Sequence, residues 1–423
     1  MSHMPQPFVI IFGKAVRSVA RLRGGGSALP GLFVERISPT FVADTLSQLP
    51  KGVVVITGTN GKTTTTKMVT SLLESQGLRV FTNRTGSNFV RGVAAALLGE
   101  MNTKGKLAAD IAILELDEAH AVKFTDVIAP THSLFLNVMR DQLDRFGEID
   151  ATARLLEKVA LTTTENVVLN REDNRVRNIA EKDLSAKVHY FGLGKDVRAH
   201  FPNDDELHHA PKDTGALPDA EVVLSSLAQP HATLLVDGKK HDVTLKVAGA
   251  YNIYNAAGAL TLVRAILPDA PLDKLLTALE GVTPAFGRGE SIMVAGQPLE
   301  LVLVKNPSGF RLGLSSFPPE GYATMIAIND NYADGRDMSW LWDVNFTSLP
   351  KVDEVSGIRA YDMALRLQYD EVPVSNIEPE LPRALRHFIQ QAPNSPKRIY
   401  CTYTAMITLR KELAKITDVE EVS

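Results

Sequence analysis

A short run of chemically distinctive residues lies between an apolar stretch and a segment with helical spacing. The apolar stretch is Val53–Ile56, and its four β-branched residues in succession predict a buried strand. Apolar residues at positions 68, 69, 72 and 73 predict a helix on the other side. Between the two the chain reads Gly58, Thr59, Asn60, Gly61, Lys62, Thr63 and Thr64. A strand, a glycine-bearing loop and a helix in this order are typical of a phosphate-binding loop.

This loop has the residue types that bind a nucleoside triphosphate. Its two glycines let backbone N–H groups approach a phosphate closely, and the N-terminus of the helix adds partial positive charge. Lys62 can reach the outer phosphates, and a hydroxyl of Thr63 or Thr64 can ligate Mg²⁺. The sequence therefore predicts a nucleoside triphosphate with Mg²⁺ as the ligand.

The loop departs from the usual pattern G-x-x-x-x-G-K-[ST], because Ile56 occupies the place of the first glycine. The alternative is a solvent-exposed turn between strand and helix, in which the glycines serve geometry alone. A lysine followed by four threonines has no role in such a turn, so we favour phosphate binding.

Carboxylates follow a second apolar run. Residues 111–116 read IAILEL, and Glu115 within this run is followed closely by Asp117. A carboxylate at the end of a buried parallel strand, beside a phosphate loop, suits a Mg²⁺ ligand and predicts this role for Glu115. The alternative is that Glu115 and Asp117 cap the next helix.

The composition excludes several classes of protein. The 423 residues are 44% hydrophobic, which is enough for two or three domains with proper cores. The net charge of −4 argues against nucleic acid bound through overall charge. The single cysteine, Cys401, excludes an intramolecular disulfide and a cysteine-cluster zinc site, and it fits a reducing cytoplasm. No apolar run approaches the length needed to cross a bilayer.

The N-terminal segment 8–23 is basic and amphipathic, since Lys14, Arg17, Arg21 and Arg23 stand among apolar residues. We favour packing of this segment on its own domain, and contact with an anionic membrane surface is the alternative. Such contact would place a cytoplasmic protein at the inner face of the plasma membrane.

Strands alternate with helices along most of the chain, which predicts an α/β fold with mostly parallel sheets and ligands at the strand ends. We divide the chain into a lead-in at 1–47, a central ATP-binding domain at 48–290 and a C-terminal Rossmann-like α/β domain at 291–423. Within the central domain, 196–240 reads as an irregular insertion, with a hairpin turn at Asp237-Gly238.

In the later part of the central domain, two asparagines on one predicted helix suggest contacts with a ligand. Asn252 and Asn255 lie about one turn apart on a helix of small residues, where their amides can reach a base or a ribose. Four histidines lack the spacing of metal ligands and are interpreted as solvated loop residues: His200, His208, His209 and His231.

Several separated segments together resemble the Mur ligase superfamily. They are the loop at 57–64, Glu115, the segment 137–147, the helix start at 249–258 and the pair Gly287-Arg288. The resemblance implies a P-loop ATPase domain in which ATP activates a carboxylate as an acyl phosphate, which an amine then displaces. It also implies that Arg288, Asn252 and Asn255 contact the nucleotide.

The C-terminal part resembles one family of this superfamily, the MurT ligase subunits of lipid II isoglutaminyl synthase. The resemblance is carried by Lys305–Gly309 and by the segment 329–343. It implies amidation of the α-carboxylate of D-glutamate in lipid II, giving D-isoglutamine, with ammonia from a GatD-like glutamine amidotransferase. Many relatives carry a four-cysteine zinc ribbon, and the lack of cysteine at 196–240 predicts that zinc is absent.

The predicted catalytic residues of the ligase reaction are Lys62 and Glu115. Lys62 and the loop amides would hold the triphosphate, while Thr63 and Glu115 would hold Mg²⁺. The metal and Lys62 would then offset charge as the γ-phosphoryl group moves to the substrate carboxylate.

Ammonia must come from another chain. Cys401 lies in a predicted strand, RIYCTYT, without the context of a nucleophile or a partner histidine. By the resemblance to MurT, Asp337 completes a catalytic triad with a cysteine and a histidine of the partner in a heterodimer. Asp334 and Asp343 are the alternative donors of this carboxylate.

Two other functions fit parts of the sequence. One is a stand-alone amino-acid ligase similar to folylpolyglutamate synthase, and the other is a nucleotide-binding scaffold that only docks an amidotransferase. The segment 334–343 disfavours the first, since a free-standing ligase needs no triad donor. The complete loop at 61–63 and Glu115 disfavour the second.

Overall fold

The computed structural model describes residues 7–22, 29–83, 90–139, 149–201, 216–247, 249–283 and 288–419. These residues form two sheets, one of nine strands and one of six, and helices cover both faces of each sheet. Each sheet with its helices buries apolar cores on its two sides, as expected for doubly wound α/β structure.

The nine-stranded sheet provides the framework of the first lobe. Its strands, in chain order, are β1 (Val53–Thr57), β2 (Val80–Thr82), β3 (Ile111–Glu115), β4 (His132–Phe135), β5 (Asn166–Asn170), β6 (Lys187–Leu193), β7 (Val222–Ala228), β8 (His231–Val236) and β9 (Lys239–Thr244). The spatial order is β2-β3-β1-β4-β5-β6-β7-β8-β9. Neighbours from β2 to β7 pair in parallel, and β8 and β9 add an antiparallel hairpin at one edge.

Ten helices of the described residues accompany this sheet. They are α1 (Pro7–Leu22), α2 (Leu29–Ile37), α3 (Phe41–Leu46), α4 (Lys62–Ser75), α5 (Val90–Glu100), α6 (Glu118–Thr125), α7 (Ile149–Thr162), α8 (Asn174–Arg177), α9 (Ala250–Ile266) and α10 (Leu272–Glu280). Short 3₁₀ turns lie at Asn178–Glu181 and Lys195–His200. Within the described part of the chain, no helix has the length and apolar character needed to cross a membrane.

The central strand β1 shows why the sheet is covered on both faces. Val54 and Ile56 belong to a core shared with α4, α9 and α10, whereas Val53 and Val55 belong to a core shared with α1–α3 and α5–α7. A strand that is apolar on both faces must be buried on both faces. Since its neighbours β3 and β4 run parallel to it, the three carboxyl ends meet at one edge of the sheet.

The six-stranded sheet forms the second lobe. Its strands are β10 (Arg288–Val294), β11 (Gln297–Leu303), β12 (Ala323–Ala327), β13 (Glu354–Ser356), β14 (Ile377–Glu378) and β15 (Lys397–Cys401), in the order β10-β11-β15-β12-β13-β14. All neighbours are parallel except β10 and β11. Helices α11 (Pro307–Ser316) and α12 (Ala360–Tyr369) cover one face, and α13 (Leu381–Gln391) and α14 (Tyr403–Leu413) cover the other.

The predicted α/β class with mostly parallel sheets is confirmed. The segment 196–240, predicted to be an irregular insertion, differs in part, because β7, β8 and the start of β9 extend the first sheet. Buried apolar residues at alternate positions, such as Val222 and Leu224, are the signal for this edge. The hairpin turn lies at Asp237-Gly238 as predicted, with positive φ at both residues. His208 and His209 lie outside the described residues.

A partly buried chain of polar side chains joins β4, β5 and β6 near their amino-terminal ends. Nδ1 of His132 lies 3.0 Å from the amide nitrogen of Asn166, whose oxygen lies 3.0 Å from Nε2 of His189. Nδ1 of His189 lies 2.9 Å from a carboxylate oxygen of Glu221. Burial, together with electrostatic repulsion from Lys51 and His189, lowers the pKa of His132 from 6.5 to about 4.

We expect the free energy of unfolding to fall as the pH drops from about 6.5 to about 4, by at most about 3 kcal/mol from this group. In the unfolded chain this histidine is protonated as the pH falls below 6.5, whereas in the folded protein His132 stays neutral down to a pH of about 4. Urea unfolding across this pH range measures the effect. In His132→Gln, which cannot be protonated, the slope with pH should be shallower; an unchanged slope would assign the pH dependence to other groups.

Candidate active site

The loop between β1 and α4 has a shape that only glycine accommodates. Gly58 and Gly61 have φ values of +133° and +92°. A Cβ on Gly61 would lie 2.0 Å from the amide nitrogen of Asn255, and one on Gly58 would lie 2.9 Å from the carbonyl oxygen of Asn137. The loop therefore passes closely between β4 and α9 before α4 begins at Lys62.

Asn137, just beyond β4, holds the loop in place. The backbone N–H of Asn60 donates to Oδ1 of Asn137 at 2.9 Å, and Nδ2 of Asn137 donates to the carbonyl of Asn60 at 2.9 Å. The N–H of Thr59 donates to the backbone carbonyl of Asn137 at 3.0 Å. These hydrogen bonds satisfy the backbone N–H and carbonyl groups of the loop and hold the loop in one conformation.

Two carboxylates from the end of β3 contact the start of α4. The hydroxyl of Thr63 donates to Oε1 of Glu115 at 2.8 Å, and Nζ of Lys62 lies 3.2 Å from Oδ1 of Asp117. Lys62 is buried and also donates to the carbonyl of Gly58 at 2.7 Å. The side chain of Asp117 makes no capping hydrogen bond to α6, although Asp117 precedes that helix. Both carboxylates therefore face the loop.

The residues of this edge fit a nucleotide phosphate with Mg²⁺. A hydroxyl and a carboxylate at hydrogen-bond distance are a donor set that Mg²⁺ accepts together with phosphate oxygens and water. The N-terminus of α4 and the ammonium of Lys62 supply positive charge for an anion. Within the described residues, the amide nitrogen of Asn255 and the hydroxyl of Thr64 are buried and make no hydrogen bond.

The second lobe contributes directly to the loop. Nζ of Lys305 donates to the carbonyl of Thr59 at 3.3 Å, and Nδ2 of Asn306 donates to Oδ1 of Asn60 at 3.4 Å. Asn306 also caps α11, since its Oδ1 accepts the N–H of Gly309 at 2.6 Å. A cleft between the lobes is lined by Asn60, Gly61, Asn137, Tyr251, Asn252, Asn255, Lys305, Gly309 and Phe317.

The aspartates that follow β12 differ in their surroundings. Asp334 is buried, and its carboxylate accepts bonds from the N–H and the hydroxyl of Thr404 and from the N–H of Asn331. Burial raises the pKa of Asp334 despite these bonds. Asp337 is only half-buried, and one of its oxygens accepts the N–H of Ser339 at 2.9 Å. Asp334 is committed to the fold, whereas Asp337 lies at the surface.

The structure brings most of the predicted site residues to one edge of the first sheet. Close together are Gly58, Thr59, Asn60, Gly61, Lys62, Thr63, Glu115 and Asn255. Asn252 lines the cleft beside them, whereas the Asp337 loop belongs to the second lobe. The side chain of Arg288 and residues 140–147 of the predicted motif lie outside the described part of the structure.

Sequence reasoning assigned no role to Asn137, Lys305 or Asn306, although all three lie in the segments that carried the resemblance. Asp117 was considered only as a helix cap. The sequence signal for a role of Asn137 and Asp117 in the site is their position in the chain. Each follows the carboxyl end of a strand that neighbours β1. Lys305 and Asn306 gave no local signal, because their contacts join residues 246 positions apart.

Comparison with protein families gives two matches along the chain. Residues 56–263 match the Mur ligase middle domain, and residues 303–406 match the MurT ligase C-terminal domain. The chain is 30% identical to the protein named lipid II isoglutaminyl synthase (glutamine-hydrolyzing) subunit MurT from Streptococcus pneumoniae. That similarity covers 96% of this chain and 96% of the relative.

Solved structures with the same fold include two MurF ligases. MurF from Acinetobacter baumannii superimposes with a TM-score of 0.68 at 19% identity, covering 92% of this chain and 80% of that one. MurF from Thermotoga maritima, determined in complex with ADP, gives a TM-score of 0.67 at 15% identity over 89% of this chain and 84% of that one. These similarities show the Mur ligase fold.

We expect Gly61→Ala to weaken the binding of ADP with Mg²⁺ by roughly tenfold or more, because the new Cβ would displace the buried amide of Asn255 or shift the loop. Isothermal titration calorimetry measures the affinity. The control is Gly77→Ala, since Gly77 has a similar φ of +88° but no atom within 4 Å of the added Cβ. Gly77→Ala should cost about 1 kcal/mol of stability and bind ADP normally; equal losses in both variants would contradict the argument.

Proposed function

Because this chain belongs to the MurT family of Mur ligases, we propose that it is the ligase subunit of a lipid II isoglutaminyl synthase. In this reaction the α-carboxylate of D-glutamate in the lipid II stem peptide becomes an amide, at the expense of ATP. The observation that carries the proposal is the joining of a complete phosphate loop to a MurT-type second lobe through Lys305 and Asn306.

The loop edge supports the activation of a carboxylate by phosphoryl transfer. ATP supplies the phosphoryl group, and Mg²⁺, held by Thr63 and Glu115, would stabilise its charge. Lys62 lies at the start of α4, where its ammonium can balance the negative charge of the outer phosphates. Asn83 positions Glu115, because its side chain bonds both the N–H and the carbonyl of that residue.

The activated acyl phosphate must react with ammonia before water reaches it. The contacts of Lys305 and Asn306 with the loop bring the second lobe over the phosphate site, which limits access of water. Ammonia attacks the acyl carbon, the amide forms and phosphate leaves. Within the described residues, Cys401 is buried in β15, which supports a separate glutaminase as the source of ammonia.

An exposed apolar face on the second lobe, which also carries Asp337, supports docking of that glutaminase. On α12 the apolar side chains of Tyr361, Leu365 and Tyr369 are exposed at a spacing of four residues, along one face of the helix. Arg359, at the start of this helix, lies 2.7 Å from the carboxylate of Asp330, at the start of the loop that leads to Asp337. An exposed apolar face on the same lobe as a surface carboxylate fits a partner whose histidine needs that carboxylate.

The proposed substrate also bears on location. Lipid II is anchored by its lipid, so the enzyme would act in the cytoplasm at the inner face of the plasma membrane.

The central test is amidation of lipid II by the chain co-expressed with a candidate glutaminase, with ATP and glutamine supplied. Mass spectrometry should detect the change of one carboxylate to an amide. Lys62→Ala should lower the rate by roughly a hundredfold or more with either glutamine or ammonium, since phosphoryl transfer loses its cation. Lys67→Ala, on the same helix but bonded to Thr283, is the matched control and should stay active. ATP turnover that requires a free amino acid would instead indicate a stand-alone ligase.

A second prediction concerns the triad. Asp337→Asn should lose glutamine-dependent amidation by roughly a hundredfold or more while keeping the activity with added ammonium, because the partner's histidine loses its orienting carboxylate. Asp343→Asn should keep both activities. If Asp343→Asn loses the glutamine-dependent activity instead, Asp343 is the donor; if Asp337→Asn loses both activities equally, the triad role is refuted.

A further inference from the structure

The first helix has two faces with opposite surroundings. Val9, Ile10 and Gly13 are buried, and a Cβ on Gly13 would lie 2.8 Å from both Val34 of α2 and Leu98 of α5. The expectation that this segment packs on its own domain is therefore met by one face only. The opposite face is solvent-exposed and apolar, which packing on the domain does not explain.

This outer face of α1 consists of Phe8, Ile11, Phe12 and Ala15. Phe8 is 70% exposed, Ile11 is 57% exposed and Phe12 is 39% exposed. The rings of Phe8 and Phe12 stack with centroids 6.2 Å apart, so the two aromatics form one continuous surface. Spacings of three and four residues place all four positions on one side of the helix.

The neighbouring helix and the surrounding charges extend the pattern. On α2, Phe33 and Ile37 are also exposed, one turn apart. Residues 1–34 contain four basic residues and no acidic residue, in a chain whose net charge is −4. Lys14 lies at the flank of the outer face, where its ammonium donates to the carbonyl of Met101 at 2.6 Å. An apolar helix face with basic flanks is the design of helices that lie in a membrane interface.

We propose that the outer face of α1 docks on the surface of an anionic lipid bilayer. Phe8, Ile11 and Phe12 would enter the boundary between headgroups and acyl chains, and the positive charge of the stretch 1–34 would attract the anionic surface. The idea rests on the proposed function, because an enzyme held at the bilayer meets a lipid-anchored substrate at a raised effective concentration.

A second copy of the chain fits this face less well than a bilayer. The three large side chains offer roughly 300 Å² of exposed apolar surface. A stable protein interface buries about 800 Å² on each partner and is depleted of lysine at its core. A bilayer sets no such threshold of area, and its negative charge complements the basic residues.

The test is co-sedimentation of the full-length chain with vesicles of phosphatidylglycerol and phosphatidylcholine in equal parts, compared with vesicles of phosphatidylcholine alone. The wild type should bind the anionic vesicles more tightly, and added salt should weaken this binding. The double substitution Phe8→Ser/Phe12→Ser should reduce binding by roughly tenfold or more. The control Leu161→Ser removes an exposed apolar residue of α7 and should bind as the wild type does.

Three measurements separate this proposal from its rivals. Equal thermal unfolding midpoints would show that the double variant is folded; a variant with a lowered midpoint is replaced by Ile11→Ser, with the same expectation. Sedimentation velocity that reveals a wild-type dimer lost in the variant would assign the face to a second copy and overturn the proposal. Vesicle binding that is absent in the wild type, or unchanged in the folded variant, would also overturn it.

Activity distinguishes membrane docking from the proposed reaction. With its glutaminase partner, the variant should amidate a lipid-free stem peptide as fast as the wild type and lipid II in vesicles several-fold more slowly. A wild type that binds vesicles through Phe8 and Phe12 but amidates neither acceptor would refute the proposed function and leave membrane docking supported.

Discussion

The candidate site depends on the close packing of the Gly61 backbone against the side-chain amide of Asn255, which leaves no room for a Cβ at residue 61. The loop after β1 can pass α9 only with a glycine at this point, and the positive φ of that glycine begins α4. The direction of α4 in turn places Lys62 and Thr63 against the carboxylates that follow β3. One close contact between residues 61 and 255 therefore aligns the phosphate loop, the candidate metal ligands Thr63 and Glu115, and the cleft between the lobes.

The parts of this site that sequence predicted are those whose chemistry is local. A strand, a turn with two glycines, a lysine and threonines are consecutive, so their pattern indicates a phosphate loop without knowledge of the fold. The position of Glu115 beside the loop was predictable because a carboxylate at the end of an apolar run is unusual. The ion pair of Lys62 with Asp117 was not predictable from the sequence, since it depends on which strand lies beside β1. The contacts of Lys305 depend on the packing of two lobes.

The aspartates after β12 show a second limit of sequence reasoning. Asp334 and Asp337 lie three residues apart in one motif, and their types and charges are the same. Only the fold separates them, because Thr404 at the start of α14 occupies the oxygens of Asp334 and leaves Asp337 at the surface. Likewise, the apolar run that follows His132 indicates a strand, but it does not reveal that the ring of His132 is buried and linked to Asn166. Burial is a property of the whole structure.

Two exposed apolar faces among the described residues, one on α12 and one on α1, differ in the charges around them, and this difference is the basis for proposing different partners. The face of α12 carries tyrosines, and the partly exposed Arg359 and Asp362 lie 3.5 Å apart at the start of this helix, so the charge around the face is balanced. Aromatic residues with hydroxyl groups and a balanced rim are typical of protein interfaces. The outer face of α1 lies in a stretch with basic residues only. An anionic bilayer would stabilise that arrangement and would give no comparable advantage to the face of α12. The two proposals therefore assign a partner protein to the apolar face of the second lobe and a membrane to that of the first.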